Sequence, residues 1–317
     1  MASNQLPESL NWAIMTLKQT PINREILVQT PWSSVVKIQT KIGLFYLKNT
    51  PELIGLEADI IQLLSKQFEA PVPTVIAQNS ELNCFLMKDA GVSLRSILKN
   101  NFDCDLLCKA INQFTALQIK IADHIDDFIN IGVPDCRLNQ LPVLYKKALS
   151  KASFLIQDGL SEVEITELGA LLPKITVLCE ELAGYSIQET MVQPDFNDNN
   201  TLINTKTQAI TIIDLGEISI SHPFFSILNC LQQIRKHHTL NENDDAYLKI
   251  KKTCLKNFLE FETEKNLLAA LEIANALWLV YGFLAYDRLA EACGSKKLIS
   301  FQPGKLHTML KELILLY

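Results

Sequence analysis

The stretch that decides the fold reads Gln193-Pro-Asp-Phe-Asn-Asp-Asn-Asn-Thr-Leu-Ile203, and it is followed by Ile212-Ile-Asp-Leu-Gly216. Its polar first half gives way to β-branched, apolar residues, a pattern that predicts two short strands joined as a hairpin. Asp195 and Asn200 precede the hairpin, and Asp214 follows it. Because a hairpin brings its two ends together, the three side chains can converge on one point.

The residue types at this point suit phosphate chemistry. Carboxylate and amide oxygens, here from Asp214 and Asn200, are the ligands that Mg²⁺ takes when nucleotide phosphates complete its shell. Asp195 is then the carboxylate available to orient an attacking hydroxyl and accept its proton. The alternative is that Asp198, Asn199 and Asn200 form a plain turn and that Asp214 only ends a strand.

Composition narrows the class of protein. The chain has 317 residues, 48% hydrophobic and 20% charged, so it can bury the core of one large domain or of two lobes. The formal net charge is −6 and no run of Lys and Arg occurs, which argues against nucleic acid as the main partner. Eight scattered cysteines without zinc-ligand spacing predict free thiols and a cytoplasmic protein.

The most apolar segment, residues 273–286, is too short to span a bilayer comfortably and is bracketed by Glu272 and Asp287. It therefore predicts a buried helix rather than a membrane anchor. The N-terminus shows no basic region followed by an apolar stretch, so no signal peptide is predicted. We expect no membrane partner.

The first ninety residues read as a sheet of about five strands with a helix embedded in it, which is α+β and not alternating β-α-β. Their periodicity predicts a leading helix at residues 8–18 and a second helix from residue 56, with β-rich pieces at 25–30, 35–40, 43–48, 74–77 and 84–87. From Ser93 onward the chain is mainly helical. The predicted helices are 94–100, 104–125, 141–156, 161–182, 224–236, 246–262, 264–291 and 303–316.

D-x-x-x-x-N followed by a hairpin and I-D-x-G resembles the aminoglycoside phosphotransferase and choline kinase family, whose members share the protein-kinase-like fold. Upstream parts of the chain follow the order of that family. Residues 45–48 resemble the strand that ends in the nucleotide-binding lysine, Lys48, and Glu57 resembles its ion-pair partner. Residues 85–91 resemble the hinge between lobes, and residues 221–227 resemble a segment of some bacterial members.

The resemblance implies a two-lobed phosphotransferase, with a nucleotide-binding lobe at residues 1–88 and a helical lobe at 89–317 that carries the catalytic loop and the acceptor site. It implies ATP or GTP as co-substrate with Mg²⁺, and a small hydroxyl-bearing molecule as acceptor. The resemblance implies that Asp195 is the catalytic carboxylate and that Asn200 and Asp214 are metal ligands. It implies that Lys48, held by Glu57, binds phosphate, and that Met87 and Asp89 contact the nucleotide at the hinge.

Two further sets of residues are candidates for ligand contacts. Ser33 and Ser34, in the turn between the first two strands, are predicted to donate hydrogen bonds to phosphate oxygens, although the turn has no glycine. Glu217 follows the D-x-G segment and is a candidate contact for the acceptor. With Asp287 it would favour a cationic substrate, and the alternative is an ordinary exposed charge.

The sequence departs from the family where His-Gly-Asp is usual. Gln193 stands for the histidine, and its amide offers a donor and an acceptor that partly replace the histidine's link to the metal-binding segment. Pro194 stands for the glycine, fixing φ near −65° and removing an N–H. Leu215 replaces a common aromatic residue. The alternative functions are therefore a nucleotide-binding or protein-binding pseudokinase and, because no A-P-E segment follows, less readily a protein kinase. The oligomeric state stays open.

Overall fold

The computed structural model describes residues 2–317, with side chains from residue 6 onward. A small antiparallel sheet with two helices precedes a larger lobe that is mainly helical, which confirms the predicted α+β, two-lobed fold. The strands are β1 Asn23–Gln29, β2 Ser34–Thr40, β3 Gly43–Asn49, β4 Val75–Asn79, β5 Cys84–Lys88, β6 Val92–Ser93, β7 Thr190–Val192, β8 Thr201–Ile203, β9 Ile210–Ile212 and β10 Ser219–Ser221.

The helices are close to those predicted, with two long predictions divided in two and two short helices, Ile125–Asn130 and Ser295–Phe301, not predicted. Their bounds are α1 Ala2–Leu17, α2 Glu57–Phe68, α3 Leu94–Asn100, α4 Cys104–Ala122, α5 Ile125–Asn130, α6 Leu141–Leu149, α7 Ala152–Gln157, α8 Glu162–Ala170, α9 Leu172–Ala183, α10 Phe224–His238, α11 Asp245–Lys256, α12 Glu264–Cys293, α13 Ser295–Phe301 and α14 Lys305–Leu316. Short 3-10 helices lie at Glu52–Ile54 and Asn257–Glu260.

The division of the predicted helix 161–182 has a clear cause. Pro173 stands in the first turn of α9, where its missing N–H costs nothing, but it cannot continue α8. Hydrophobic periodicity continues across the break, so periodicity alone did not reveal it. The prediction for 141–156 likewise covers two shorter helices, whereas the prediction for 104–125 corresponds to α4 and ends at the first residue of α5.

The sheet of the small lobe has the order β1-β2-β3-β5-β4, with every pairing antiparallel. Alternation along β2 gives the sheet two different faces. Val36 and Ile38 are buried with Ala13 of α1, whereas Val35 points to the opposite face. That opposite face forms the roof of a cleft between the lobes.

Helix α12 is the centre of the large lobe and packs against α6, α9, α10 and α14. Its apolar residues surround the helix, as expected of a helix covered on most sides. Within the part of the chain that the structure describes, it is the one helix whose length and composition would allow it to cross a membrane, and half of its most apolar stretch is buried in the lobe. The predicted buried helix at residues 273–286 is therefore confirmed.

Two small sheets, β6-β8-β9 and β7-β10, lie where the large lobe meets the cleft. The predicted hairpin is the β8–β9 pair, in which Thr201 faces Ile212. The chain crosses between the lobes just before β6, through Gly91. Gly91 has φ +120°, and a Cβ atom there would lie 2.2 Å from the Ile203 carbonyl oxygen, so only glycine fits against β8.

Candidate active site

The loop between β7 and β8 begins with a tight turn. The Phe196 N–H donates to the Gln193 carbonyl at 3.2 Å, which places Pro194 at the second position of a four-residue turn. Proline is favoured there because its fixed φ matches the turn and its missing N–H is not needed. The structure therefore accommodates Pro194 without displacing the loop.

Asp195, the predicted catalytic residue, follows in the same turn, is exposed, and hydrogen-bonds Asn200 of the cleft wall. Its side chain is held by amide donors: Asn197 Nδ2 and Asn200 Nδ2 each donate at 2.8 Å, and Asn229 Nδ2 donates at 3.4 Å. Partial burial of the carboxylate, followed by the negative charge of Asp214, raises its pKa, and the amide hydrogen bonds oppose that rise. A carboxylate with a raised pKa is a better proton acceptor.

Asn200 and Asp214 leave oxygen atoms available for a cation. Asn200 uses its Nδ2 on Asp195, and Asp214 uses Oδ1 on Lys48. Asn200 Oδ1 and Asp214 Oδ2 accept no hydrogen bond from the residues that the structure describes. One amide oxygen and one carboxylate oxygen fit Mg²⁺, which commonly takes few protein ligands and completes its shell with phosphates and water.

Lys48 lies between two carboxylates. Its Nζ is 2.5 Å from Glu57 Oε2 and 2.5 Å from Asp214 Oδ1. Burial alone would lower the pKa of Lys48, but the charges of Asp214 and Glu57 outweigh burial and raise it. The structure thus brings together Lys48 from β3, Glu57 from α2 and Asp214 from the end of β9, with a protonated amine at the centre.

The D-x-G segment is fitted closely to Glu57. Glu57 Oε1 accepts from the Leu215 N–H at 3.1 Å, and a Cβ at Gly216 would lie 3.0 Å from Glu57 Oε2. Asp214 itself has φ +63°, a left-handed conformation that costs a non-glycine residue energy. In this backbone conformation the Asp214 carboxylate points back towards Lys48, so the strained residue coincides with the candidate site.

Gln193 makes the link that was expected of it in place of histidine. Its side-chain Nε2 donates to the carbonyls of Ile213 at 2.7 Å and of Asp214 at 3.1 Å. Its main-chain N–H donates to Ser226 Oγ at 2.9 Å, in the segment 221–227. The amide therefore ties the β7–β8 loop to the segment that contains Asp214, although Gln193 Oε1 is buried without a partner in the described chain.

A buried network behind the loop escaped the sequence analysis. Asp198 accepts from Arg95 Nε at 2.9 Å and pairs with His238 Nε2 at 2.6 Å, and both Asp198 and His238 are almost wholly buried. Arg95 also donates to Asn197 Oδ1 at 2.9 Å, and Asn197 in turn holds Asp195. Asp198, which the alternative reading placed in a plain turn, is thus part of a buried network.

The cleft between the lobes has a volume of about 510 Å³. Of the predicted nucleotide contacts, Ser33 and Met87 line it together with Lys48 and Glu57. Ser34 does not line it. Ser34 lies on the face of β2 that is buried against α1, because side chains alternate along a strand, so the structure does not support its predicted contact with phosphate.

Asp89 is also outside the cleft walls, which include its neighbours Ala90 and Gly91. Its side chain is exposed, and its main-chain N–H donates to the Leu44 carbonyl at 3.1 Å. The hinge N–H at this position is therefore used within the small lobe, which corrects the prediction that Asp89 contacts the nucleotide.

Glu217, the predicted acceptor contact, lies on the wall of the cleft. Burial, and then the negative charge of Asp214, raise its pKa to about 7. Asp287, its expected companion, is instead paired with Lys151, whose Nζ lies 2.6 Å from Asp287 Oδ2. Lys151 Nζ also lies 2.5 Å from Glu291 Oε1, so Asp287 belongs to an ion-pair cluster and does not line the cleft.

No protein-family model and no curated protein sequence matches the chain. Solved structures do match over nearly its whole length. The GDP complex of an aminoglycoside 2′-phosphotransferase is 15% identical, with a TM-score of 0.58, over 94% of this chain and 97% of that one. The ternary complex of APH(2″)-IIa with streptomycin and ATP is 14% identical, with a TM-score of 0.57, over the same shares.

A Plasmodium vivax ethanolamine kinase is 11% identical, with a TM-score of 0.54, over 92% of this chain and 82% of that one. These similar structures are small-molecule kinases, and two of them hold a nucleotide. At such low identity the similarity concerns the fold. The chain therefore has the protein-kinase-like fold found in aminoglycoside phosphotransferases and ethanolamine kinase.

Proposed function

We propose that this protein is a phosphotransferase that transfers the γ-phosphate of ATP or GTP to a hydroxyl group of a small molecule. The observation that carries the proposal is that Lys48, Asn200 and Asp214 line one cleft, with Asp195 hydrogen-bonded to Asn200 at its wall. Phosphoryl transfer depends mainly on positioning and charge neutralisation, and these side chains are suited to both tasks.

Each residue has a distinct task in the proposed reaction. Lys48, held protonated by Glu57, neutralises phosphate oxygens. Asp195 accepts the proton of the acceptor hydroxyl while the hydroxyl oxygen forms its bond to the γ-phosphorus. The bond from that phosphorus to the β–γ bridging oxygen breaks, and the nucleoside diphosphate leaves with the electron pair.

Asn200 and Asp214 would hold Mg²⁺, which when bound neutralises phosphate charge. Their available oxygens support this role.

The pseudokinase alternative drew on Gln193 and Pro194. Gln193 makes hydrogen bonds to the metal-binding segment, and Pro194 suits the turn in which it stands. Neither residue moves Asp195 away from Asn200, since their side chains meet at 2.8 Å. The geometry thus favours the enzyme over a silent protein.

The first experiment measures release of ADP or GDP, with Mg²⁺ present, over a panel of amino alcohols, aminoglycosides and sugars. Asp195→Ala is the control, and we expect wild-type turnover at least a hundredfold above it, within the range that general-base catalysis contributes. A wild-type rate equal to that of Asp195→Ala on every acceptor would contradict the proposal for that panel.

The second experiment separates nucleotide binding from chemistry. Mg·ATP should raise the melting temperature of wild type and of Asp195→Ala, because a ligand that binds only the folded state stabilises it. Asp214→Ala should lose that stabilisation. If neither Mg·ATP nor Mg·GTP raised the melting temperature, the protein would not be a nucleotide-dependent enzyme.

A further inference from the structure

A small cavity of about 30 Å³ adjoins the cleft on the side of helix α12. Ile54 and Glu217 line both spaces. Most of the remaining wall of the cavity comes from α12, including Tyr281, Leu284 and Arg288. A space of this size holds about two water molecules or one small polar group.

Arg288 is a positive charge without a negative partner. It is only partly accessible, and its Nη1 donates to the Ile218 carbonyl at 3.0 Å. In the described chain no acidic side chain lies within 4 Å of it, and its other four N–H groups make no hydrogen bond. Burial lowers the pKa of Arg288. A guanidinium in this position is suited to a carboxylate, which it can bind with two parallel hydrogen bonds.

Glu217, on the same cavity wall, carries a negative charge that has no positive partner in the described chain. Its carboxylate accepts no hydrogen bond and forms no ion pair among the residues that the structure describes. Glu217 and Arg288 thus face one cavity with opposite charges and are not in contact with each other. Unpaired charges that are removed from water are costly unless a ligand or water satisfies them.

We infer that the acceptor is a small hydroxylated amino acid, whose carboxylate binds Arg288, whose ammonium binds Glu217 and whose hydroxyl reaches Asp195. This inference rests on the proposed function. A zwitterion matches both charges at once, whereas a polycation would be repelled by the positive charge of the Arg288 guanidinium. Asp287 lines neither the cavity nor the cleft. The small cavity admits a terminal carboxylate but not a sugar ring.

Three probes that differ by one group test the assignment: L-serine, ethanolamine, which lacks the carboxylate, and 3-hydroxypropanoate, which lacks the ammonium. Homologues of L-serine with one and two further methylene groups test the reach to Asp195. Binding is measured by calorimetry, with and without Mg·ADP, and turnover is measured by nucleoside diphosphate release. We expect at least one amino acid of the series to bind tenfold or more tightly than its two one-group analogues.

Variants then assign each charge. Arg288→Gln should weaken binding of the amino acid by about tenfold to a hundredfold, the loss of a charge-assisted pair, and leave ethanolamine unchanged. Glu217→Gln should weaken binding of the amino acid and leave 3-hydroxypropanoate unchanged. Arg235→Gln, which removes the same charge from the exposed face of α10, is the matched control and should change nothing. Retention of the Mg·ADP thermal shift shows that each variant is folded.

Two outcomes overturn the inference: no amino acid of the series binds wild type at 10 mM-scale ligand, or Arg288→Gln and Arg235→Gln bind it equally well. Failure of the proposed function is separate, because it appears as the absence of a Mg·ATP thermal shift. If Mg·ATP binds and only neutral or cationic acceptors are phosphorylated, the proposed function stands and the amino-acid assignment falls.

Discussion

Pro194 and Gln193 together set the position of Asp195, the proposed catalytic carboxylate. Pro194 provides the fixed φ that the turn closed by Phe196 requires, and Gln193 ties that turn to the backbone of Asp214. Asp195 is then oriented by three amides rather than by a glycine-rich loop. At this scale side-chain hydrogen bonds to its own backbone hold the loop in place.

Replacing Pro194 with glycine should lower the free energy of unfolding by about 1 kcal/mol, because the unfolded chain gains conformational freedom. Turnover should not rise, since the proline already fits its turn. Pro303→Gly is a matched control, because Pro303 holds the same position in the turn from Gln302 to Lys305, remote from the loop. A tenfold rise in kcat for Pro194→Gly alone would mean that the proline distorts the site.

Glu217 gives a pH dependence with a definite sign. Its pKa is about 7 in the folded protein against an ordinary 4.5, so the folded state binds this proton more tightly than the unfolded chain. The free energy of unfolding should therefore fall as pH rises from about 4.5 to 7 and level off above that. Glu217→Gln cannot ionise, so its stability relative to wild type should improve by 1–3 kcal/mol, roughly, between pH 5 and pH 8.

Urea unfolding at several pH values measures this difference. Glu81→Gln, at an exposed position, is the control and should give a difference that does not vary with pH in this way. A constant difference for Glu217→Gln would show that the carboxylate titrates as an ordinary exposed group.

At the scale of elements, the cleft depends on how β6 and β8 meet. Gly91 precedes β6, and its backbone rests directly on Ile203 at the end of β8. The same hairpin, β8–β9, is followed by Asp214, the proposed metal ligand, so the hinge and the proposed catalytic segment share one small sheet. A displacement at the hinge should therefore reach the site.

Gly91→Ala should cost roughly 3 kcal/mol or more, because it adds a clash with Ile203 to the cost of a left-handed backbone. Gly294→Ala isolates the second cost, since Gly294 has φ +91° and a Cβ there meets no atom within 4 Å. Gly294→Ala should lower the free energy of unfolding by about 1–2 kcal/mol. Equal losses in denaturant unfolding would show that the hinge yields to the added methyl group.

Across the whole molecule, the lobes also touch at the mouth of the cleft. Trp32, in the β1–β2 turn, packs edge-on against Phe301 of α13, with ring centroids 5.3 Å apart. Trp32 lines the cleft, whereas Phe301 does not. The pair thus joins Trp32 of the cleft wall to Phe301, which lies outside the proposed nucleotide site.

Phe301→Ala should speed release of a fluorescent nucleotide about two- to tenfold, since an aromatic pair contributes about 0.5–1.5 kcal/mol. Stopped-flow displacement measures that rate. Leu315→Ala, which removes an exposed apolar side chain of α14, is the control and should leave it unchanged. An unchanged rate for Phe301→Ala would mean that the aromatic contact does not hold the lobes together.

The sequence by itself indicated a sheet-rich start, a helical remainder and the hairpin that brings Asp195, Asn200 and Asp214 together, because periodicity and hairpins are local patterns. The two lobes and the pair of Lys48 and Glu57 were implied by the resemblance to a known family. Ser34 shows the limit of such patterns, because the face of β2 that meets α1 is set by packing.

Only the tertiary structure paired Asp198 with His238, 40 residues away, and brought Glu217 and Arg288 to one cavity. No spacing in the sequence encodes such pairs. Contacts between distant residues follow from the packing of the entire core, which fixes where each loop and helix face lies.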